Sequence, residues 1–304
     1  MNKNQVSLTA LISAFGRAYH SKQAAVKIFD DFLAESMMSS EKYNEMGHNL
    51  ANAITFFDPE FAAGGPDEKA ALARVLQLHS SAITLCRAAY TEEVLEAAVD
   101  GGMDQYVILG AGLDTFAFRR PDLMKKLSVF ELDHPATQQY KVDRLRELGW
   151  EIPGNLHMIP VDFSIDSLTD VLKKTAFDSC KPALFSWLGI TYYLTLEDVI
   201  SALKNIADIS SSASMVIFDY LDKDAFDPEK VSLRVRKMIQ ITGMAGEPMK
   251  TGFSPDEIAE LASSIGLLRA ENLSPDDVQL RWFSTRNDGM TAFEHVNIAR
   301  FVKP

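Results

Sequence analysis

A chain of 304 residues, 47% of them hydrophobic, is long enough to bury one large core or two small ones. Its formal charge of −12 argues against a general nucleic-acid binder, which needs a basic face to displace counterions from phosphates. The two cysteines, Cys86 and Cys180, fit neither a metal-ligand spacing nor a disulfide framework, which suits reduced thiols in a cytoplasmic protein.

Up to about Asp100 the apolar spacing is helical. "TALISAFGRAYH", "AVKIFDDFLAESM" and the long "DEKAALARVLQLHSSAITLCRAAYTEEVLEAAV" repeat apolar residues three and four apart, and "DPEFAAGGPDE" (Asp58 to Glu68) reads as the loop before the long helix. "VSLTALISAF" lacks the basic flank and cleavage site of a targeting segment. "PALFSWLGITYYL" (Pro182 to Leu194) falls short of the roughly 20 residues a membrane span needs. Neither membrane insertion nor export is expected.

From Asp104 onward short apolar runs alternate with helical segments. "QYVILG", "SVFELD", "NLHMIPVD", "PALFSWLG" and "ASMVIFDY" read as strands, separated by "ATQQYKVDRLRELGW", "SLTDVLKKTAF" and "LEDVISALKNIADI". Such alternation implies right-handed crossovers and a doubly wound, mostly parallel sheet. "PEKVSLRVRKMIQITGM" and "SPDEIAELASSIG" are helical, and "MTAFEHVNIARFVKP" closes the chain as a strand. The expected organisation is an N-terminal helical cap over 1–100 and an α/β core over 101–304, with a helical insertion near 222–250.

The first strand hands over to "LGAGLDT". Gly110 and Gly112 flank Ala111 and let a ligand approach the backbone where open parallel sheets bind one, beyond the carboxyl ends of their strands. The second strand ends in "FELDHP", so Glu131 and Asp133 stand about 20 residues on, where a dinucleotide fold keeps its ribose-binding acid. Thr115 occupies the place of the third glycine that a pyrophosphate requires, and Asp114 puts negative charge beside it. This disfavours NAD and ATP and suits a cationic nucleoside, S-adenosylmethionine. The third strand ends in "VDFS", where Asp162 can accept from an adenine amino group and Phe163 can pack its ring.

"VILGAGLDTFAFR", "VFELDHPATQQYK", "PVDFS" and "FSWLGITYYL", in that order, resemble the leucine carboxyl methyltransferase-like family of S-adenosylmethionine-dependent methyltransferases, including its bacterial O-methyltransferase branch. The resemblance runs from "KIFDDFLA" to "RNDGMTAFEHV" and implies a Rossmann-like class I methyltransferase fold. It implies that Arg87 holds the carboxylate of the cofactor's methionine moiety beside Gly110, with Asp133 on the ribose and Asp162–Phe163 at adenine. Lys22 or Arg17 are further basic candidates from the front helices. Many members carry a glutamate in the fourth-strand motif where this chain has Leu188, a departure that bears on the acceptor more than on the cofactor.

Tyr192 and Tyr193, just past the fourth strand, are the candidate catalytic residues near the transferring methyl. None of the histidines shows paired metal spacing, and His134, beside the cofactor loop, is the one candidate base among them. Met238, Met244 and Met249 read as ordinary core filling, with a substrate cover as the alternative, and Arg234, Arg236 and Lys237 as a solvated helix face, with steering of an acidic substrate as the alternative. The expected function is O-methylation of a carboxylate or hydroxyl of a small molecule, such as a polyketide or another secondary metabolite. Methylation of a protein C-terminal carboxyl and non-catalytic binding of S-adenosylmethionine are the alternatives.

Overall fold

The structure, a computed structural model, describes residues 6–79, 81–163 and 165–304. Four main helices come first: α1 (Leu8–Gln23), α2 (Ser40–Asn52), α3 (Glu68–Leu78) and α4 (Ser81–Asp100). Ser7, Ser39 and Asp67 each accept a backbone N–H with the side chain and so start α1, α2 and α3. The expected helix over "AVKIFDDFLAESM" is a loop with one 3-10 turn, Ala34–Met37. Leaving the helical path lets Asp31, 1% exposed, accept from Arg17 and Thr115. The "DPEFAAGGPDE" loop holds a short helix, Pro59–Ala63, capped by Asp58.

The long third helix is two helices. Its first half ends at His79, whose backbone is extended, and Ser80 lies outside the described residues. Arg234 donates to the freed carbonyls of Gln77 at 2.7 Å and Leu78 at 3.0 Å, so the break leaves those acceptors satisfied.

The strands are β1 (Gln105–Leu109), β2 (Ser128–Asp133), β3 (Leu156–Pro160), β4 (Ala183–Trp187), β5 (Met215–Leu221), β6 (Leu268–Leu273) and β7 (Val296–Val302). They form one sheet in the order β3-β2-β1-β4-β5-β7-β6. The pairs among β1 to β5 are parallel, and β7 runs antiparallel between β5 and β6. Strand order therefore reverses at β1, between β2 and β4, which opens the crevice that such sheets use for ligands.

Both sheet faces are covered, as the continuous apolar runs predict. On one face Tyr106, Ile108, Val129 and Ile217 pack with Ile83, Cys86, Tyr90 and Val94 of α4. On the other, Val107, Leu109, Phe130 and Phe218 meet Leu203 and Ile206 of a helix after β4. That helix (Leu196–Ile209) begins in a reciprocal cap between Thr195 and Asp198. Between β2 and β3 runs α5 (Pro135–Glu147), so Leu196–Ile209 is α6; α7 (Leu233–Met244) and α8 (Pro255–Ser264) follow β5. "SLTDVLKKTAF" yields only a short helix, Leu168–Leu172. Among the described residues no helix is long and apolar enough to cross a membrane.

One buried ion pair locks α5 to the sheet. Lys141 Nζ lies 2.5 Å from Glu131 Oε2, and both side chains are 1% exposed. Burial raises the Glu131 carboxyl above its ordinary value, while Lys141 pulls it back down. Lys141→Met leaves that carboxylate without a cation and is expected to cost about 3–5 kcal/mol at neutral pH. Because the folded-state value is raised, the Glu131 proton favours the native state below the unfolded value of about 4.3 and is lost as pH rises. The deficit of Lys141→Met relative to the parent therefore shrinks on going from about pH 7 to about pH 5. Urea denaturation at the two pH values measures it, and a deficit that stays constant refutes the assignment.

Candidate functional site

A cavity of about 610 Å³ opens beyond the carboxyl ends of β1 to β4, at the point of strand reversal. The end of β1 contributes Gly110, Ala111, Gly112 and Asp114 to its wall. Asp133 comes from the tip of β2, Asp162 and Phe163 follow β3, and Leu188 and Gly189 follow β4. From the helical front, Ser7, Thr9, Ala10, Ser13 and Arg17 of α1 and its cap close one side, and Arg87 of α4 reaches in. Residues separated by more than a hundred positions thus share one chamber.

The glycine loop is built as its sequence demands. Gly110 and Gly112 have φ of +73° and +54°, a region that a side chain disfavours. A Cβ on Gly110 would lie 2.3 Å from Ile190 Cδ1. Asp133 organises the loop from the neighbouring strand: its Oδ2 accepts from Gly112 N–H at 2.5 Å and its Oδ1 from His134 N–H at 2.6 Å. Burial raises the Asp133 carboxyl above the ordinary range, while those two N–H groups oppose the shift. Each oxygen keeps acceptor capacity for an incoming hydroxyl. Asp114 is half-buried and accepts from Phe116 N–H at 2.6 Å.

Arg87 forms the opposite pole. Its Nη1 lies 2.8 Å from Asp219 Oδ2 and 3.2 Å from the Tyr192 hydroxyl. Asp219, fully buried, also accepts from Gly189 N–H at 2.6 Å. Burial opposes charge on Arg87, but the Asp219 carboxylate more than compensates and holds its pKa above the ordinary value. Gly189 makes room for this guanidinium, since a Cβ there would stand 2.6 to 2.9 Å from it.

Three expected site residues, Glu131, Thr115 and Tyr192, do not reach the wall of this cavity. Glu131 is bonded to Lys141 two residues below the strand tip. Thr115 is 1% exposed and donates its hydroxyl to Asp31 at 2.5 Å, bracing the front loop instead of facing a ligand. Tyr193 lines the cavity, whereas Tyr192 lies behind it with its hydroxyl on Arg87. His134 reaches the cavity wall, but its Nδ1 accepts from Ala136 N–H at 3.3 Å as the cap of α5. Of the two front-helix cations, Arg17 lines the cavity and bonds Asp31 and the Leu113 carbonyl, while Lys22 pairs with Glu35 at the surface. The supposed basic face of α7 is spent on carbonyls: Arg236 bonds that of Pro228, Lys237 that of Phe57 and Arg234 those beside the α3 break.

Sequence reasoning missed Asp219, Asp31 and Glu247. The signal for Asp219 was present, because an acid inside the apolar run "MVIFDY" has to find a buried partner. Asp31 lies where helical spacing suggested a helix and the chain forms a loop instead, and Glu247 lies in a loop that no periodicity marks.

The donor set fits a cationic ligand that carries vicinal hydroxyls and a carboxylate. Three acids stand at successive strand ends, and Arg87 faces the chamber from α4, while the other two largely buried guanidiniums on the wall are braced elsewhere, Arg17 on Asp31 and Arg119 on Glu92. Two backbone glycines leave space for close approach, and the exposed Phe163 offers a ring face at the β3 end. S-adenosylmethionine has those groups.

Comparison with known proteins agrees. Residues 10–207 match the family model described as leucine carboxyl methyltransferase. The Bacillus subtilis (strain 168) protein YktD, provisionally named an S-adenosyl-L-methionine-dependent methyltransferase, is 43% identical over 304 residues, which is the whole of both chains. Two solved structures share the fold. A DUF574-family protein from Streptomyces avermitilis is 14% identical with a TM-score of 0.56, over 100% of this chain and 99% of that one. A protein from Thermobifida fusca, provisionally called a methyltransferase, is 16% identical with a TM-score of 0.53, over 93% and 95%. With the match spanning most of the chain, this protein belongs to the leucine carboxyl methyltransferase family and is an S-adenosylmethionine-dependent methyltransferase.

Proposed function

We propose that the methyl group goes to an oxygen atom of a small molecule. In this reading Asp133 accepts from the ribose hydroxyls, Asp162 and Phe163 receive adenine, and Arg87 takes the carboxylate of the methionine moiety beside Gly110. The observation that carries it is the meeting of Arg87 and Asp133 on the walls of one cavity at the strand reversal. A guanidinium–carboxylate pair is the strong, directional contact that such a carboxylate calls for.

When bound, S-adenosylmethionine supplies a methyl group already activated on a sulfonium whose departure leaves a neutral sulfur. The protein then has to align an acceptor in line with that bond and exclude water. α1 roofs the chamber with Thr9, Ala10 and Ser13, and Tyr193 stands on the wall shared with the acceptor side. A protein C-terminal carboxyl is the second reading, favoured by the description of the family.

Calorimetry tests the cofactor assignment. S-adenosylmethionine and S-adenosylhomocysteine are expected to bind, and NAD is not, because Asp114 repels a pyrophosphate and Thr115 replaces the glycine it needs. Tight NAD binding sinks the reading. Radiolabelled transfer into small-molecule and protein fractions separates the two acceptor classes, and base-lability of the product separates ester from ether.

A further inference from the structure

A second cavity of about 180 Å³ adjoins the first, and Thr9, Ser13, Thr84, Arg87, Tyr193 and Glu247 line both. Its inner wall is aliphatic and aromatic: Ile83, Val235, Met238, Ile241, Met249 and Phe293 are among its lining residues. A dry apolar cavity of roughly 150 Å³ takes a benzene ring, so this one has room for a compact one- or two-ring body. Met238 and Met249, from α7 and the loop after it, give it an adaptable surface. Met244, by contrast, is exposed.

The charges around this cavity discriminate between acceptors. Among the residues that line it, Arg87 is the one permanent cation, and Asp219 already neutralises it at 2.8 Å. The buried His79 is neutral at physiological pH, since burial first and Arg234 second hold its pKa at about 4. Glu247 stands on the wall common to both cavities, where Thr9 donates its hydroxyl to Oε2 at 2.5 Å. No ion pair to Glu247 forms among the described residues. Among the residues lining this second cavity no uncommitted cation offsets that negative charge for a carboxylate acceptor, and Lys250 lines the first cavity alone. A neutral hydroxyl would meet an acceptor for its proton.

Resting on the cofactor placement proposed above, we infer that the acceptor is a neutral, compact apolar alcohol or phenol seated in the second cavity, and that Glu247 is its general base. As the acceptor oxygen bonds to the methyl carbon, its proton passes to a Glu247 oxygen. The carbon–sulfur bond breaks with its electron pair left on sulfur, and the products are a methyl ether, neutral S-adenosylhomocysteine and a protonated Glu247. A carboxylate substrate would not need this proton acceptor.

The matched probes 2-naphthol and 2-naphthoate test this on the protein saturated with S-adenosylhomocysteine at neutral pH. Calorimetry is expected to show 2-naphthol binding and 2-naphthoate at least about tenfold weaker. Glu247→Gln, which removes the charge, should close most of that gap. With S-adenosylmethionine, 2-naphthol should be methylated, and Glu247→Gln should lower its kcat by about 10²-fold or more. Met238→Trp should fill the cavity and abolish 2-naphthol binding while S-adenosylhomocysteine still binds, which also shows that the variant is folded. Naphthoate binding as tightly as naphthol, naphthol failing to bind or react while S-adenosylhomocysteine binds, or Glu247→Gln leaving kcat unchanged would each overturn the inference. Failure of S-adenosylhomocysteine itself to bind would instead reject the cofactor placement.

Discussion

Asp133→Ala is expected to weaken S-adenosylhomocysteine binding by about 3–6 kcal/mol, roughly two to four orders of magnitude in Kd. Two hydroxyl donors would lose a charged acceptor, each such bond being worth about 1.5–3 kcal/mol. The carboxylate also holds the Gly112 and His134 N–H groups, so the variant loosens the loop that faces the ligand. Denaturation of the unliganded variant measures that second effect separately. Binding by the parent has a pH dependence of fixed sign. Burial raises the Asp133 carboxyl, and protonation converts one acceptor oxygen into a donor. Affinity therefore falls as pH is lowered through that raised value, and Asp133→Asn abolishes this limb of the profile. Undiminished affinity in the alanine variant would remove the ribose from Asp133.

Arg87→Met tests the other pole and separates structure from binding. The substitution strands the Asp219 carboxylate, fully buried, with only the Gly189 N–H and the Tyr192 hydroxyl nearby. A buried pair broken on one side costs about 3–5 kcal/mol, so chemical denaturation should show a loss of that size. Adding Asp219→Asn removes the uncompensated charge, and most of the stability should return. Cofactor affinity should not return with it, because the guanidinium that would meet the methionine carboxylate is still missing. A double variant that regains both stability and affinity would show that Arg87 acts only as a strut. Gly189→Ala would give a milder form of the binding defect, by pushing the guanidinium aside.

The parts of this molecule that were legible in the chain are those set by local physics. Five strands announce themselves as apolar runs because both faces of the sheet are covered. "LGAGLDT" marks the crevice because glycine adopts the positive φ of Gly110 and Gly112 with no steric cost. β6 was illegible for the converse reason: its "LRAENL" is largely exposed at the sheet edge, and no buried face imposes a pattern on it. The break after His79 was hidden too, since helical spacing continues across it and Arg234, which satisfies the freed carbonyls, lies 155 positions from His79.

At the site itself, the sequence alone determined which strand tips carry acids and glycines, and therefore where the candidate cofactor cavity opens. Only the tertiary structure decided what each acid does. Glu131 and Asp133 share a strand face by their spacing, yet the deeper one meets Lys141 and the outer one meets the cavity. The coupling of Arg87 to Asp219 spans 132 positions, and Glu247 joins α1 through Thr9 across 238. Such pairings are fixed by charges seeking partners in a medium that screens them poorly, once packing has chosen which elements touch. No periodicity along the chain records that choice.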